Sequence, residues 1–233
     1  MIEKALELLR QGRIIFIHDS DNRENEVDAV IRADHVTPSV ITWMRKNAGG
    51  LICFVTEDSI GRQLGLDFMS DVLRKIGFNG LVKRPGYGDD PAFSIYVNHV
   101  KTTTGIRDRD RALTITRLAD VIKMISEGKV MDARKVFYEE FYAPGHVPIL
   151  LGRIGRRFGH TELSLILSKM AEIPPALVIV EMLSDDGGAL SKDIVKKIAS
   201  ELGTALISGG EIVDEAGGVE LFKRINLNNN IFK

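Results

Sequence analysis

The run ALVIVEML, residues 176–183, is apolar at every position but one. A strand buried on both faces reads this way, because neither side-chain direction meets water. Such a strand requires helices on both sides of its sheet. The rest of the chain supplies the parts. RIIFIHD (13–19), EVDAVIRAD (26–34), LICFVTE (51–57), AFSIYVNHV (92–100) and TALIS (204–208) have strand length and β-rich composition. Helical patterns lie among them: MIEKALELLRQG at the start, TPSVITWMRKNAGG (37–50), a segment over 107–128, TELSLILSKMAEI (161–173) and SKDIVKKIASELG (191–203). Thr37 and Pro38 suit a helix start, and Gly49–Gly50 suit its stop. Thr161 reads as a second cap, with Pro174–Pro175 just past that helix. GRQLGLDF (61–68) predicts a short helix, and NGLVKRPGYGDDP (79–91) a loop with the composition of a mobile lid. The order does not alternate regularly enough for a purely doubly wound sheet. The expected fold is therefore α/β (α+β): one compact domain over 1–233, with a mixed sheet covered by helices.

Composition narrows the function classes. The 233 residues carry a formal net charge of −1, so no net basic field is available to hold nucleic acid or an anionic membrane. No run of about 18 apolar residues predicts a membrane span. The lone cysteine, Cys53, excludes an internal disulfide and a thiolate-rich metal site, and the cytoplasm is the expected compartment.

Against that neutral background, DSDNRENEVD (19–28) packs Asp19, Asp21, Glu24, Glu26 and Asp28 around a single cation, Arg23, directly after an apolar run. If residues 24–28 are extended, Glu24, Glu26 and Asp28 share one face. Their repulsion is relieved either by a divalent cation or by protonation of one carboxylate, which would create an acid/base pair. On these residues alone a solvated acidic turn remains an equal reading. A second constellation, GRIGRRFGHTELSL (152–165), sets Arg153, Arg156 and Arg157 ahead of Gly159, His160 and Thr161, where a helix begins. Free N–H groups at a helix start, a threonine hydroxyl and an arginine fork together suit a phosphate, and His160 suits either a metal or the anion. An ordinary capped helix with surface arginines is the alternative. FYAPGHVPIL (141–150) places His146 on what reads as a proline-stiffened turn, suited to proton transfer or to a structural role. Glu181 lies inside the apolar strand run, where a carboxylate is costly unless paired or used. Asp185 and Asp186 read as a turn. Thr102, Thr103 and Thr104 form a hydroxyl-rich loop before Gly105. His18, His35 and His99 read as structural.

Taken together, DSDNRENEVD, AGGLIC, TTTGI with DRA, APGHV, RFGHTE and EMLSDDG resemble the 3,4-dihydroxy-2-butanone 4-phosphate synthase family of riboflavin biosynthesis, in the family's order from residue 19 to about 188. The resemblance implies a compact sandwich with a mixed sheet and a homodimer with sites near the subunit interface. It also implies conversion of D-ribulose 5-phosphate to L-3,4-dihydroxy-2-butanone 4-phosphate and formate, through a metal-stabilised enediolate, with Mg²⁺ or Mn²⁺. Glu24 and His160 would hold the metal. Arg23, Glu24, Asp28 and Glu181 would contact substrate, and Arg157, Phe158, Gly159, His160 and Thr161 would cradle its phosphate end. His146, Glu181 and Asp28 would carry the proton transfers. Asp19, Glu26, Cys53 and Thr104 are implied lining residues, with Thr104 counted among the substrate contacts. Val27, Phe158 and Arg107 depart from the family pattern without removing a proposed charge or ligand. The length leaves no room for the fused cyclohydrolase-like half that some members carry.

Overall fold

A computed structural model describes residues 1–217; the part of the expected domain at 218–233 lies outside the described residues. The strands are β1 (Ile15–His18), β2 (Val27–Arg32), β3 (Cys53–Glu57), β4 (Phe93–His99), β5 (Phe141–Gly152), β6 (Leu177–Glu181) and β7 (Leu206–Ser208). They form one mixed sheet in the order β4-β5-β3-β6-β2-β1-β7. The β1–β2, β2–β6, β3–β6 and β4–β5 pairs are antiparallel, while β1–β7 and β3–β5 are parallel. The expected mixed sheet is what forms, and the apolar run at 177–181 lies in its middle as β6.

Period-two alternation sends the strand side chains into two cores. Ile15, Ile17, Val30, Cys53, Val55, Leu177 and Ile179 meet α1 (Ile2–Arg10), α7 (His160–Met170) and α9 (Gly209–Glu215) on one face. Phe16, Val27, Ala29, Ile31, Phe54, Val178 and Val180 meet α2 (Pro38–Trp43), α5 (Asp108–Ser126), α6 (Val130–Glu140) and α8 (Lys192–Glu201) on the other. Each large apolar side chain buried this way contributes roughly 1.5–3 kcal/mol. Val27 belongs to the second core, so its departure from the family pattern adds packing and leaves the acidic side of β2 untouched.

The structure corrects several local expectations. The short helix read at 61–68 forms earlier, as α3 (Asp58–Gln63), because Leu64, Leu66 and Phe68 leave the helix to enter the core. Helix α4 (Met69–Lys75) and helix α6 are additional to the expected elements. Helix α2 starts as expected, with the Thr37 hydroxyl accepting from the Val40 N–H, and then widens into a π-turn over Met44–Ala48 that Gly49 ends at φ 87°. Helix α7 is capped by Gly159, not Thr161, which sits buried in the first turn.

The largest correction is at 141–150. The proline-rich segment is not a turn but the first half of β5, the longest strand among the described residues. β3 pairs with β5 only over Ile149–Gly152, so the part bearing Pro144 and Pro148 needs hydrogen bonds on one side alone. Gly145 passes so close to β4 that a Cβ there would collide with the Val97 carbonyl carbon. Gly145→Ala is therefore expected to force the two strands apart and cost about 3 kcal/mol, read from urea denaturation. Gly80→Ala, where a Cβ meets nothing within 4 Å, should leave the midpoint within the noise.

Candidate active site

The acidic segment is the connection from β1 to β2, and Asp19 folds it. Its buried carboxylate accepts the Glu24 N–H at 3.0 Å, the Glu26 N–H at 3.1 Å and the Arg23 guanidinium at 3.2 Å. Asn25 takes a left-handed conformation (φ 54°), with its side-chain oxygen 3.0 Å from His18 Nε2. A left-handed residue breaks strand alternation, so residues 24–28 do not form the extended face that the sequence predicts. The carboxylates converge for another reason.

That reason is His160, at the start of α7. Its Nε2–H donates to the Glu26 carbonyl oxygen at 3.2 Å, which fixes the ring. Nδ1 then faces Glu24 Oε2 at 3.5 Å and Asp28 Oδ1 at 3.6 Å. Burial alone would disfavour the imidazolium, yet Asp28 and Glu24 raise its pKa to about 9. Burial likewise pushes Glu24 upward, but hydrogen bonds from His160 and Tyr87 and the charge of Arg23 bring it down to about 2. Asp28 behaves differently. Burial lifts it to about 7; the His160 charge works against the rise, and Glu181, Glu24 and Glu26 add to it.

Glu181 arrives from β6, whose register sets it directly opposite Asp28 on β2. Its Oε2 accepts the Leu51 N–H at 2.7 Å. A Cβ on Gly50 would collide with that oxygen, so the AGG segment is glycine where the carboxylate must pass. Cys53 is buried one strand further along, opposite Ile179, and burial holds its thiol far above the ordinary range.

Two arginines flank the histidine. A Cβ on Gly159 would meet Arg23 Nη2 at 2.8 Å and Arg157 Nη2 at 2.9 Å, so both guanidinium groups converge over the start of α7. Arg157 is braced from below by Glu162, buried in α7, with Nε 3.3 Å from Oε2. The loop at 79–91 closes over them. Asp89 pairs with Arg23 at 3.0 Å, the Asp90 carbonyl accepts from Arg157 at 2.7 Å, and the Tyr87 ring lies beneath the Arg23 guanidinium. Tyr87, Asp89, Asp90 and Glu162 are not among the candidate site residues read from the sequence, although Glu162 ends the RFGHTE motif. Glu162 does leave a signal, as a carboxylate on the otherwise apolar helix pattern that follows His160.

Arg23, Glu24, Glu26, Asp28, Arg157, Gly159, His160 and Glu181 are thus brought together. Phe158 is exposed and lines a cavity with Asp19, Arg23, Leu163 and Val213. Thr104 and His146 form a second group. His146 is exposed on β5, its N–H donating to Asn98 Oδ1 at 2.8 Å and its Nδ1 3.1 Å from Asn98 Nδ2. Gly105 packs against the same asparagine, and Asp110 gathers the N–H groups of Thr103, Thr104 and Gly105. None of these hydrogen bonds reaches the Glu24–His160 group. Asp185 and Asp186 form the expected turn, with Asp186 accepting from the Gly188 N–H. His18 and His99 are buried in local contacts, with Asn25 and Glu140.

Asp19, Glu24 and His160 each place a ligand-type atom within 4.8 Å of the others. Both Asp19 oxygens accept the backbone N–H groups that fold the connection, whereas Glu24 Oε2 contacts only side chains, Arg23 Nη1 at 2.7 Å among them, so Glu24 and His160 could take a cation without unfolding the segment. Asp28 Oδ1 is buried and accepts no hydrogen bond among the described residues. A carboxylate, an imidazole nitrogen aimed by its second ring nitrogen, and an unsatisfied oxygen beside them fit a hard divalent ion.

Comparison with known proteins shows the family and the fold. The sequence profile described as 3,4-dihydroxy-2-butanone 4-phosphate synthase matches residues 3–215. A protein of that name from Methanosarcina mazei is 43% identical over 225 residues, covering 91% of this chain and 90% of its own. The crystal structure of the synthase from Candida albicans superposes with a TM-score of 0.70 at 29% identity, over 92% of this chain and 96% of that one. A further synthase structure, solved in complex with two magnesium ions, has a TM-score of 0.75 at 24% identity, covers 94% of this chain and 98% of that one, and shares the fold.

Asp19→Ala would strip two buried N–H groups of their acceptor and Arg23 of a partner. Each unsatisfied buried donor costs about 1–3 kcal/mol. The variant is expected to lose stability on that scale, and hydrogen exchange at the Glu24 and Glu26 amides should accelerate while β6 amides stay protected.

Proposed function

The chain belongs to the 3,4-dihydroxy-2-butanone 4-phosphate synthase family of riboflavin biosynthesis, and from that premise we propose that it converts D-ribulose 5-phosphate to L-3,4-dihydroxy-2-butanone 4-phosphate and formate. One observation carries the reading: two carboxylates with different environments, Asp28 and Glu181, stand side by side next to an imidazole–glutamate pair that two arginines flank. The substrate has the matching parts, a carbonyl flanked by exchangeable C–H and O–H groups at one end and a phosphate at the other.

Arg23 and Arg157 supply two fixed guanidinium groups over Gly159 for the phosphate dianion, in the place where Asp89 now satisfies Arg23. Anchoring there lets binding energy position the reacting carbons over the carboxylates. Asp28, with a pKa of about 7, both takes and returns a proton near neutral pH, and it also orients a sugar hydroxyl. Glu181 keeps its carboxylate aimed by the Leu51 N–H and shares the proton transfers with His146. Glu24 and His160 would hold Mg²⁺ or Mn²⁺. When bound, the cation would act as a Lewis acid for the negative charge that develops on the sugar oxygens of the enediolate. The loop at 79–91 excludes water from the arginine pair.

His146 and Thr104 lie in the Asn98 group, so the same proposal includes a homodimer that joins the two groups. His146 and Thr104 of the partner subunit would complete each site. In support, the segments that carry the second group expose Tyr96, Val100, Ile106 and Tyr142, and Leu51 and Leu183 are exposed beside Glu181. No helix among the described residues is long and apolar enough to cross a membrane, and the lone, buried Cys53 suits the reducing cytoplasm.

Incubation with ribulose 5-phosphate and Mg²⁺ is expected to release formate, and a chelator to stop it; absence of formate under both conditions contradicts the proposal. Glu24→Gln should abolish metal-dependent turnover with the thermal midpoint little changed. Arg157→Ala should raise KM about tenfold or more, since a charged hydrogen bond contributes about 1.5–3 kcal/mol. An unchanged KM would place the phosphate elsewhere.

A further inference from the structure

The loop ahead of α7 carries two more arginines that the proposed reaction does not use. Arg153 is half-buried and lies flat on the Phe68 ring, with Cζ 3.4 Å from the centroid. Arg156 is exposed and directly precedes Arg157 in the chain.

Neither guanidinium has a hydrogen bond or an ion pair among the described residues. Burial and the charge of Arg157 press against the Arg153 cation, while the nearby carboxylates of Asp90, Asp71 and Asp58 work the other way without hydrogen-bonding it. The two arginines are shared by a cavity of about 430 Å³, bounded by α3 and α7, and one of about 450 Å³ beside the loop at 79–91. Each carboxylate lining these cavities already lies within ion-pair distance of a cation other than Arg153 and Arg156, although Asp89 shares Arg23 with Asp19 and Glu24. Asp58 pairs with Arg62 at 2.9 Å, Glu57 with Lys169 at 3.2 Å, Asp90 with Arg84 at 3.1 Å, Asp71 with Arg74 at 2.6 Å and Asp89 with Arg23 at 3.0 Å. Arg153 and Arg156 are the two cations lining both cavities that no carboxylate pairs with among the described residues. A guanidinium pair of this kind matches a dianion with several acceptor oxygens.

We propose that Arg153 and Arg156 form a second anion site, next to the Arg23–Arg157 pair, whose Arg157 also lines the cavity of about 450 Å³, and that it takes a phosphate monoester dianion. The Arg153 backbone N–H donates to Glu162 Oε1 at 2.8 Å, and the other oxygen of Glu162 faces Arg157. The second site is therefore joined to the first through one buried carboxylate. The phosphate comes either from the substrate on its way in or from a separate phosphorylated effector. The site stands beside the proposed substrate cradle and rests on that reading only for the first of these two sources.

Equilibrium dialysis of the full chain with Mg²⁺ and radiolabelled inorganic phosphate tests the site. The wild type is expected to bind two equivalents per chain. Arg156→Gln, at an exposed position that leaves the fold intact, should weaken one of them at least fivefold, and Arg153→Gln/Arg156→Gln should remove it. Arg157→Ala should remove the other. If phosphate uptake is the same in the wild type and the double variant, the second site does not exist. Uptake that is lost in the double variant but insensitive to Arg157→Ala would keep this site and remove the proposed substrate cradle. Kinetics separate the two sources. If the site serves the incoming substrate, Arg156→Gln lowers kcat/KM several-fold. If it serves an effector, kcat/KM without phosphate is unchanged, and the double variant loses a noncompetitive component of phosphate inhibition.

Discussion

The imidazole of His160 holds the acidic connection and the sheet together. Three carboxyl groups from one short segment, and a fourth from the central strand, would not share a partly buried space if each were ionised and unpaired. His160 anchors Nε2 on the Glu26 carbonyl and turns Nδ1 to Glu24 and Asp28, which places a positive charge, or a metal in its stead, where the repulsion is greatest. The ring can do this because α7 starts at the sheet face where Asp28 and Glu181 lie opposite each other. Arg23 and Asp19 complete the arrangement from the side of the connection.

Much of this was legible in the sequence, for identifiable reasons. Six of the seven described strands are short β-rich runs bounded by helical or turn signals. β5 was not legible, because Pro144 and Pro148 mark a turn unless it is known that this half of the strand pairs on one side only. The residues around His160 were legible because two dense motifs carry them. The geometry between those motifs was not. Strand alternation was the wrong reason for the convergence of Glu24, Glu26 and Asp28, since Asn25 is left-handed. Tyr87, Asp89 and Asp90 reach the site from a loop whose composition announces only irregularity, and no local pattern encodes where such a loop lands. His146 and Thr104 gather around Asn98, a polar residue inside a strand pattern, and only the proposed homodimer would bring them to Glu24 and His160.

The arginines have two kinds of role. Arg23 and Arg157 are held in place by Asp89, Asp90 and Glu162 and converge over Gly159. Arg153 is held by an aromatic face, and Arg156 by its backbone alone. Charge alone does not separate the two pairs in the sequence, because Arg153, Arg156 and Arg157 share one short segment. Their partners separate them.

Glu24 and His160 are proposed to grip a divalent cation together. Crystals grown with Mn²⁺ and measured at its absorption edge test this most directly. The expected result is an anomalous peak within coordination distance of a Glu24 carboxylate oxygen and of His160 Nδ1. A peak elsewhere in the molecule, or none at a saturating Mn²⁺ concentration, would contradict it.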